Sequence, residues 1–254
     1  MSIGSSLASP PGCMRGRVSD LSPPWSGGIG QCGRGRGGDD MGLFGKKKRG
    51  AVDRPPDEPP PPAPGWSAIE RAFSGLYPAH PPRWWEHNGV SVMHDLGNPP
   101  ENPLEAVAIH DAGPFWHYVS FGMSDLFAKT SDGEWSGFGY ELTFRSPKGV
   151  DADPPLWPVD VLISLAKAAY QGAEFGPGHT IQTGPLDGRP QTRLTALLMV
   201  KDPGVELIDT PHGKVAFLLL VGVEGSVREK GLAEGVDAVL AEISAANPHL
   251  VTRV

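Results

Sequence analysis

The residues best suited to chemistry in this chain are its eight histidines. His87 and His94 lie near Asp95, and His110 precedes Asp111, so two imidazoles and a carboxylate for a metal-dependent hydrolase are available in principle. Their spacing matches neither HExxH nor a comparable ligand pattern, and surface or turn positions account for them more simply. His117, between Trp116 and Tyr118 in an apolar run, reads as a hydrogen-bonded core or cleft histidine rather than a ligand. Ser124 and Asp125 lack a GxSxG elbow around the hydroxyl and are expected to accept backbone hydrogen bonds where a strand turns. The Gly-rich pieces GGIGQCGRGRGG and SGFG do not link a strand to a helix as a phosphate loop must; the first reads as disorder, the second as a bend into a strand. Asp151 and Asp153 sit in a Pro-rich loop and read as solvated charge, not as a glycosidase pair. No residue is assigned to catalysis, and no cofactor or metal is expected.

Binding chemistry is better represented. Trp84 and Trp85 fall in a Pro-flanked segment before the first expected strand, and Trp135 in a polar loop. Any of these, if exposed, would anchor a protein interface, since aromatic side chains supply much of the energy at such surfaces. Packing is the expected role of Trp66, Trp116 and Trp157.

The elements that must position these residues begin near Trp66. Ser67 and Glu70 have capping-box spacing, and Ile69, Ala72, Phe73 and Leu76 share one helical face. Strands are expected around Val90 to Met93, from Leu104 to His110, from Trp116 to Met123 and from Phe138 to Phe144, the last two as neighbours. In the third of these, His117, Val119, Phe121 and Met123 fall on one face and Trp116, Tyr118 and Ser120 on the other. Pro158 opens a strongly patterned helix with Val161, Leu162, Leu165, Ala168 and Ala169 inward and Gly172 as its stop. Further strands are expected at His179 to Thr183, Leu194 to Val200, Val205 to Asp209 and Lys214 to Val223, then a helix from Leu232 to Ala245. This order predicts an α+β domain with a largely antiparallel twisted sheet flanked by helices.

Composition sets the limits of that domain. Of 34 Gly and 28 Pro, 25 lie in the first 65 residues, so residues 1–52 read as a disordered Gly/Ser/Arg-rich head, 53–65 as a polyproline linker and 66–254 as the folded domain. Met41, opening MGLFGKKK, reads as the natural start. Both cysteines, Cys13 and Cys32, lie in the head, which excludes a Cys-based zinc site or disulfide framework from the rest. The longest apolar run, Val215 to Val223, is too short to span a bilayer, and the N-terminus has no secretory apolar stretch, so a cytoplasmic location without membrane contact is expected. Residues 66–254 carry 13 Lys or Arg against 23 Asp or Glu. That balance disfavours a nucleic-acid ligand and favours a cationic protein.

Four strings add a further indication. WHYVSFGMSDLF from Trp116, SGFGYELTFR from Ser136, PLWPVDVLISLAK from Pro155 and TPHGKVAFLLLVGV from Thr210, with GLYP at Gly75, GPLD at Gly184 and KDP at Lys201, together resemble the suppressor of fused family. The resemblance covers residues 66–254 and is closest to that family's N-terminal domain and to its single-domain bacterial type. It implies a non-enzymatic α+β module that binds protein. In animals such proteins hold zinc-finger transcription factors of the Hedgehog pathway, gripping an extended peptide as an added strand between two domains. Three gripping positions differ, with Ala168, Gly178 and Lys201 standing where the animal proteins have an aromatic and two acids. For the bacterial type the resemblance implies an immunity protein that occludes a toxin encoded by a neighbouring gene. A signalling scaffold recruited through the Pro tract is the alternative. The residues expected to meet a partner are Trp84, Trp85, Trp116, His117, Tyr118, Asp125, Trp135 and His179.

Overall fold

The computed structural model describes residues 63–86, 103–130, 132–149 and 153–254. The expected strand at Val90 to Met93, His87, His94, the head and most of the polyproline tract lie outside the described residues. In chain order the elements are α1 (Pro64–Leu76), β1 (Arg83–Glu86), β2 (Ala106–Asp111), β3 (Phe115–Phe121), β4 (Trp135–Pro147), α2 (Trp157–Tyr170), β5 (Thr180–Gln182), β6 (Leu194–Lys201), β7 (Ile208–Thr210), β8 (Gly213–Glu224), α3 (Gly225–Glu234) and α4 (Val236–Ala246). The eight strands form one sheet in the order β1-β2-β3-β4-β8-β6-β5, with β7 folded back on the start of β8. All pairs are antiparallel except β4 with β8.

Alternation along β8 shows how the layers form. Val215 and Phe217 pack with Ile69 and Phe73 of α1, and Leu219, Val221 and Val223 pack with Val236 and Val239 of α4. Leu218 and Leu220 point the other way, under Val159, Leu162, Leu165 and Ala169 of α2. The sheet is thus covered on both faces, by α2 on one side and by α1, α3 and α4 on the other. Every residue of β3 is buried for the same reason.

Several local expectations are corrected. The first helix starts at Pro64, where a missing amide hydrogen costs nothing, so Ser67 lies inside it and caps nothing. Gly65 abuts the backbone of Asp125 and Leu126, a contact with no room for a β-carbon. Trp84 and Trp85 belong to strand β1, paired with Ala108 and Val107, rather than to a connecting segment. Met123 joins the α2 side and not the face of Val119 and Phe121, because β3 ends at Phe121 and Gly122 turns the chain at φ +135°. SGFG is part of β4, where Gly137 and Gly139 adopt positive φ and the pairing with β8 slips between Trp135 and Tyr140. The strand expected at Val205 to Asp209 shrinks to Ile208–Thr210. The last expected helix is two helices, broken at Gly235.

Candidate functional site

Two arrangements concentrate the polar and aromatic residues, one sealed and one open. The sealed one lies between α1 and the sheet. β2, β3 and β4 set His110, His117 and Arg145 side by side across three strands. His117 is fully enclosed, and its Nε2–H donates to Asp202 Oδ2 at 2.9 Å while its Nδ1 accepts from the Tyr77 hydroxyl at 2.7 Å. Asp202 also accepts from Thr143 Oγ1 at 2.7 Å, from the Gly204 N–H at 2.8 Å and from the Arg145 guanidinium. Arg145 reaches the His249 carbonyl at 2.9 Å, so the network binds the carboxyl-terminal turn as well. His110 lies between the Phe73 and Tyr77 rings, at centroid distances of 5.3 and 5.4 Å, and its Nδ1 has no hydrogen-bond partner among the described residues.

Burial decides the protonation states. It lowers His117 despite the bond to Asp202, leaving a neutral ring in the Nε2–H form. Burial, joined by the neighbouring His117, lowers His110 to about 4. Burial also opposes ionisation of Asp202, but the His117 bond, the Arg145 charge and the Gly204 amide outweigh it and hold the carboxyl well below its ordinary value. The Tyr77 phenol is raised to about 12, again by burial first. A carboxylate orienting an imidazole that accepts from a hydroxyl has the connectivity of a nucleophilic relay. Here the hydroxyl is a phenol turned inward, and the relay fastens α1 to the sheet.

A second enclosed carboxylate, Glu141, accepts from Ser120 Oγ at 2.5 Å, Ser124 Oγ at 2.6 Å and the backbone amides of Gly122, Met123 and Ser124. Burial raises its pKa, against the pull of these donors. Its effect is to hold the loop after β3 in place. Asp125 continues that loop, accepting from the Thr130 amide at 3.0 Å and hydroxyl at 2.8 Å, the turn-capping role its type suggests.

The loop and the adjacent start of β4 form the open arrangement. Phe127, Trp135 and Phe138 are 38%, 44% and 41% exposed. Phe138 is steadied by the Tyr170 ring of α2, with centroids 4.9 Å apart, and Trp135 lies against Gly139, where a β-carbon would come within 3.3 Å of the indole.

The eight residues singled out for partner contact are therefore dispersed. Trp135 and His179 are on the surface, His179 with Nδ1 toward the Glu174 carbonyl at 3.1 Å. Trp84 is half-buried, stacked on Trp66 at 5.4 Å and edge-on to Phe121 at 5.3 Å, and Trp85 packs beside the α2-side core. Trp116, His117, Tyr118 and Asp125 are buried, which commits them to packing and internal hydrogen bonds. Trp116 carries the Arg83 and Lys148 cations 5.2 and 4.9 Å from its ring, and the Tyr118 hydroxyl donates to the Pro155 carbonyl at 2.7 Å. Of the three histidines and the acids written as a metal site, only His110 and Asp111 are described: His110 faces rings, and Asp111 accepts from Lys148 Nζ at 2.5 Å and from the Gly113 amide at 3.0 Å; among the described residues no three His, Cys, Asp or Glu side chains could share an ion.

Sequence reasoning passed over Tyr77, Thr143, Arg145 and Asp202 as site residues. The available signal was that GLYP, LTFR and KDP, three strings far apart in the chain, each contribute a polar residue to the network around His117. Phe127 and Phe138 were also missed, because exposure of an apolar side chain leaves no mark on sequence pattern.

Comparison with known proteins places this geometry. The family described as suppressor of fused protein matches residues 100–254. The human suppressor of fused homolog is 36% identical over 143 residues, a stretch covering 53% of this chain and 28% of the human protein. This chain thus spans well under a third of the length of the curated relatives it matches. Among solved structures, a chain of the Sufu–Fu complex superposes with a TM-score of 0.67 and 29% identity, over 76% of this chain and 90% of that one. Drosophila Suppressor of Fused gives 0.66 and 28%, over 76% of this chain and 50% of that one.

Proposed function

Because the chain belongs to the suppressor of fused family, we propose that residues 66–254 are a non-enzymatic module that binds a protein partner and acts by covering its surface. The observation that carries this reading is the exposed trio Phe127, Trp135 and Phe138, the first on the loop that Glu141 and Asp125 hold and the other two at the adjoining start of β4. Large apolar side chains displayed on a braced support lose little freedom on binding, which favours their use as anchors. The similar chain of the Sufu–Fu complex, bound to Fu, supports a protein as the partner class. The His117 relay, which has the connectivity of a catalytic centre, is sealed and engaged on both nitrogens.

The partner we infer is a cationic toxin encoded by a neighbouring gene, with this protein as its cytoplasmic immunity protein. The acidic balance of residues 66–254 supports this, since oppositely charged surfaces accelerate and orient association. Co-expression with the products of adjacent genes, capture of the complex and a growth-protection assay test it. A stable complex lost in Trp135→Ala is the expected result; recovery of the free protein alone, with the neighbouring products present, would overturn it.

A further inference from the structure

A cleft of about 330 Å³ lies between the β5–β6 connection, the end of β8 and the last two residues, and three of its lining side chains are Arg189, Arg193 and Arg253. In a domain with 10 more acids than bases over residues 66–254, three arginines on one cleft are a local concentration of cations. Two side-chain carboxylates share the cleft, Asp187 and Glu224, both engaged, and Val254 brings the α-carboxylate of the last residue to its edge. Asp187 has a side chain only 3% exposed and accepts from the Arg189 amide at 3.0 Å and from the Thr192 hydroxyl, with Arg189 Nε at 3.5 Å. Its charge is spent on folding the loop. Glu224 meets one terminal nitrogen of Arg193 at 3.1 Å. The remaining donors of Arg189 and Arg193 stay in solvent, on side chains 70% and 79% exposed, and Arg253 has no ion-pair partner among the described residues.

The frame that presents these guanidiniums is fixed. The Leu186 amide donates to the Leu194 carbonyl at 3.0 Å and the Thr192 amide to the Arg189 carbonyl at 3.0 Å, closing the loop on itself. Leu194 pairs with Glu224 across β6 and β8. Next to Arg253, Thr252 accepts the Gly222 N–H at 2.9 Å and donates its own amide to the Arg145 carbonyl at 2.8 Å. We propose that this cleft is a binding site for a dianionic phosphate group. Guanidinium forks match phosphate oxygens in pairs, and three forks on rigid backbone surround a single tetrahedral anion better than a flat carboxylate. The cleft is too local, and its surroundings too acidic, for a nucleic-acid backbone. The assignment is independent of the protein-binding reading.

The test titrates the full chain with inorganic phosphate against chloride at matched ionic strength, following backbone and arginine side-chain resonances by NMR. A second arm uses an acetylated and amidated Gly-phosphoserine-Gly peptide. Expected are saturable shifts confined to residues 185–194, 224 and 252–254. Arg189→Gln and Arg253→Gln, both on exposed side chains, should each weaken binding about tenfold, the loss of one charge-assisted hydrogen-bond pair, with the unfolding midpoint unchanged. Tighter binding of the peptide identifies a phosphorylated protein as the source, and equal binding a free phosphate species; either upholds the site. Linear, unsaturated shifts with both probes, or wild-type affinity in both variants, would overturn it.

Discussion

The Tyr77 hydroxyl and His117 Nδ1, 40 residues apart, are 2.7 Å from one another, and this bond fastens the carboxyl end of α1 to the middle of β3. Tyr77→Phe keeps the ring but leaves a buried nitrogen without its donor, which costs about 1–3 kcal/mol. Urea unfolding should show a lower midpoint with an unchanged slope. An unmoved midpoint would mean that Ile69 and Phe73 alone hold the helix.

Asp202 and Arg145 form an enclosed ion pair, so removing one partner should cost far more than the pair is worth. Asp202→Asn leaves the Arg145 cation, 4% exposed, without its carboxylate, an expected loss of about 3–5 kcal/mol. Replacing both, as Arg145→Met with Asp202→Asn, should recover part of it, because no charge is left unpaired and the amide oxygen still accepts from neighbouring donors. A double-mutant cycle with additive losses would show that the two charges act separately.

Stability should fall as the solution is acidified from about pH 6.5 to pH 4. The unfolded chain takes up histidine protons near 6.5, whereas folded His110 does so only near 4 and folded His117 is lowered too. The unfolded state therefore binds more protons across this window, and the His110 contribution, present in full above 6.5, drains away by roughly 3 kcal/mol. Glu141 acts in the opposite sense, because its raised value favours proton uptake by the folded state above 4.5. His110→Phe should flatten the pH dependence of the urea midpoint at little cost at pH 8, since Nδ1 has no partner to lose and its neighbours are rings. A slope as steep as that of the parent would place the titration elsewhere.

Trp135→Ala and Phe138→Ser should separate binding from folding. Both side chains are over two-fifths exposed, so the variants should fold, at a cost of about 1–2 kcal/mol for the buried part of each ring and, at Phe138, the Tyr170 contact. If the pair anchors a partner, each should weaken capture by about 2 kcal/mol or more in calorimetry. A partner bound with equal strength by both variants would move the interface to another face.

Much of the architecture was legible because it rests on local signals. Pro158 and the stripe from Val161 to Ala169 specified α2, and alternation specified β3 and β4 as partners. The His117 network was not legible, since Arg145 and Asp202 are 57 residues apart and meet only after β4, β8 and β6 take their places in the sheet. Alternation also misled at Met123, because it persists in sequence past the point where Gly122 ends the strand. Surface and buried tryptophans could not be told apart for a related reason: both faces of this sheet are covered, so alternation does not separate an exposed aromatic such as Trp135 from a buried one such as Trp116.

The same limit applies at Gly235, where apolar spacing runs on but the helix does not. Gly235 sits at φ +95° and ψ 143°, outside the range of L-residues, and separates α3 from α4. A β-carbon there would meet nothing within 4 Å, so the cost of Gly235→Ala is purely that of the backbone, about 1–3 kcal/mol. Gly75, near the end of α1, has equally open surroundings but no positive φ. Gly75→Ala should therefore stabilise by about 0.5–1 kcal/mol, as alanine does in a helix. Urea unfolding reads both variants, and a Gly235→Ala midpoint equal to that of the parent would overturn the backbone account of the break.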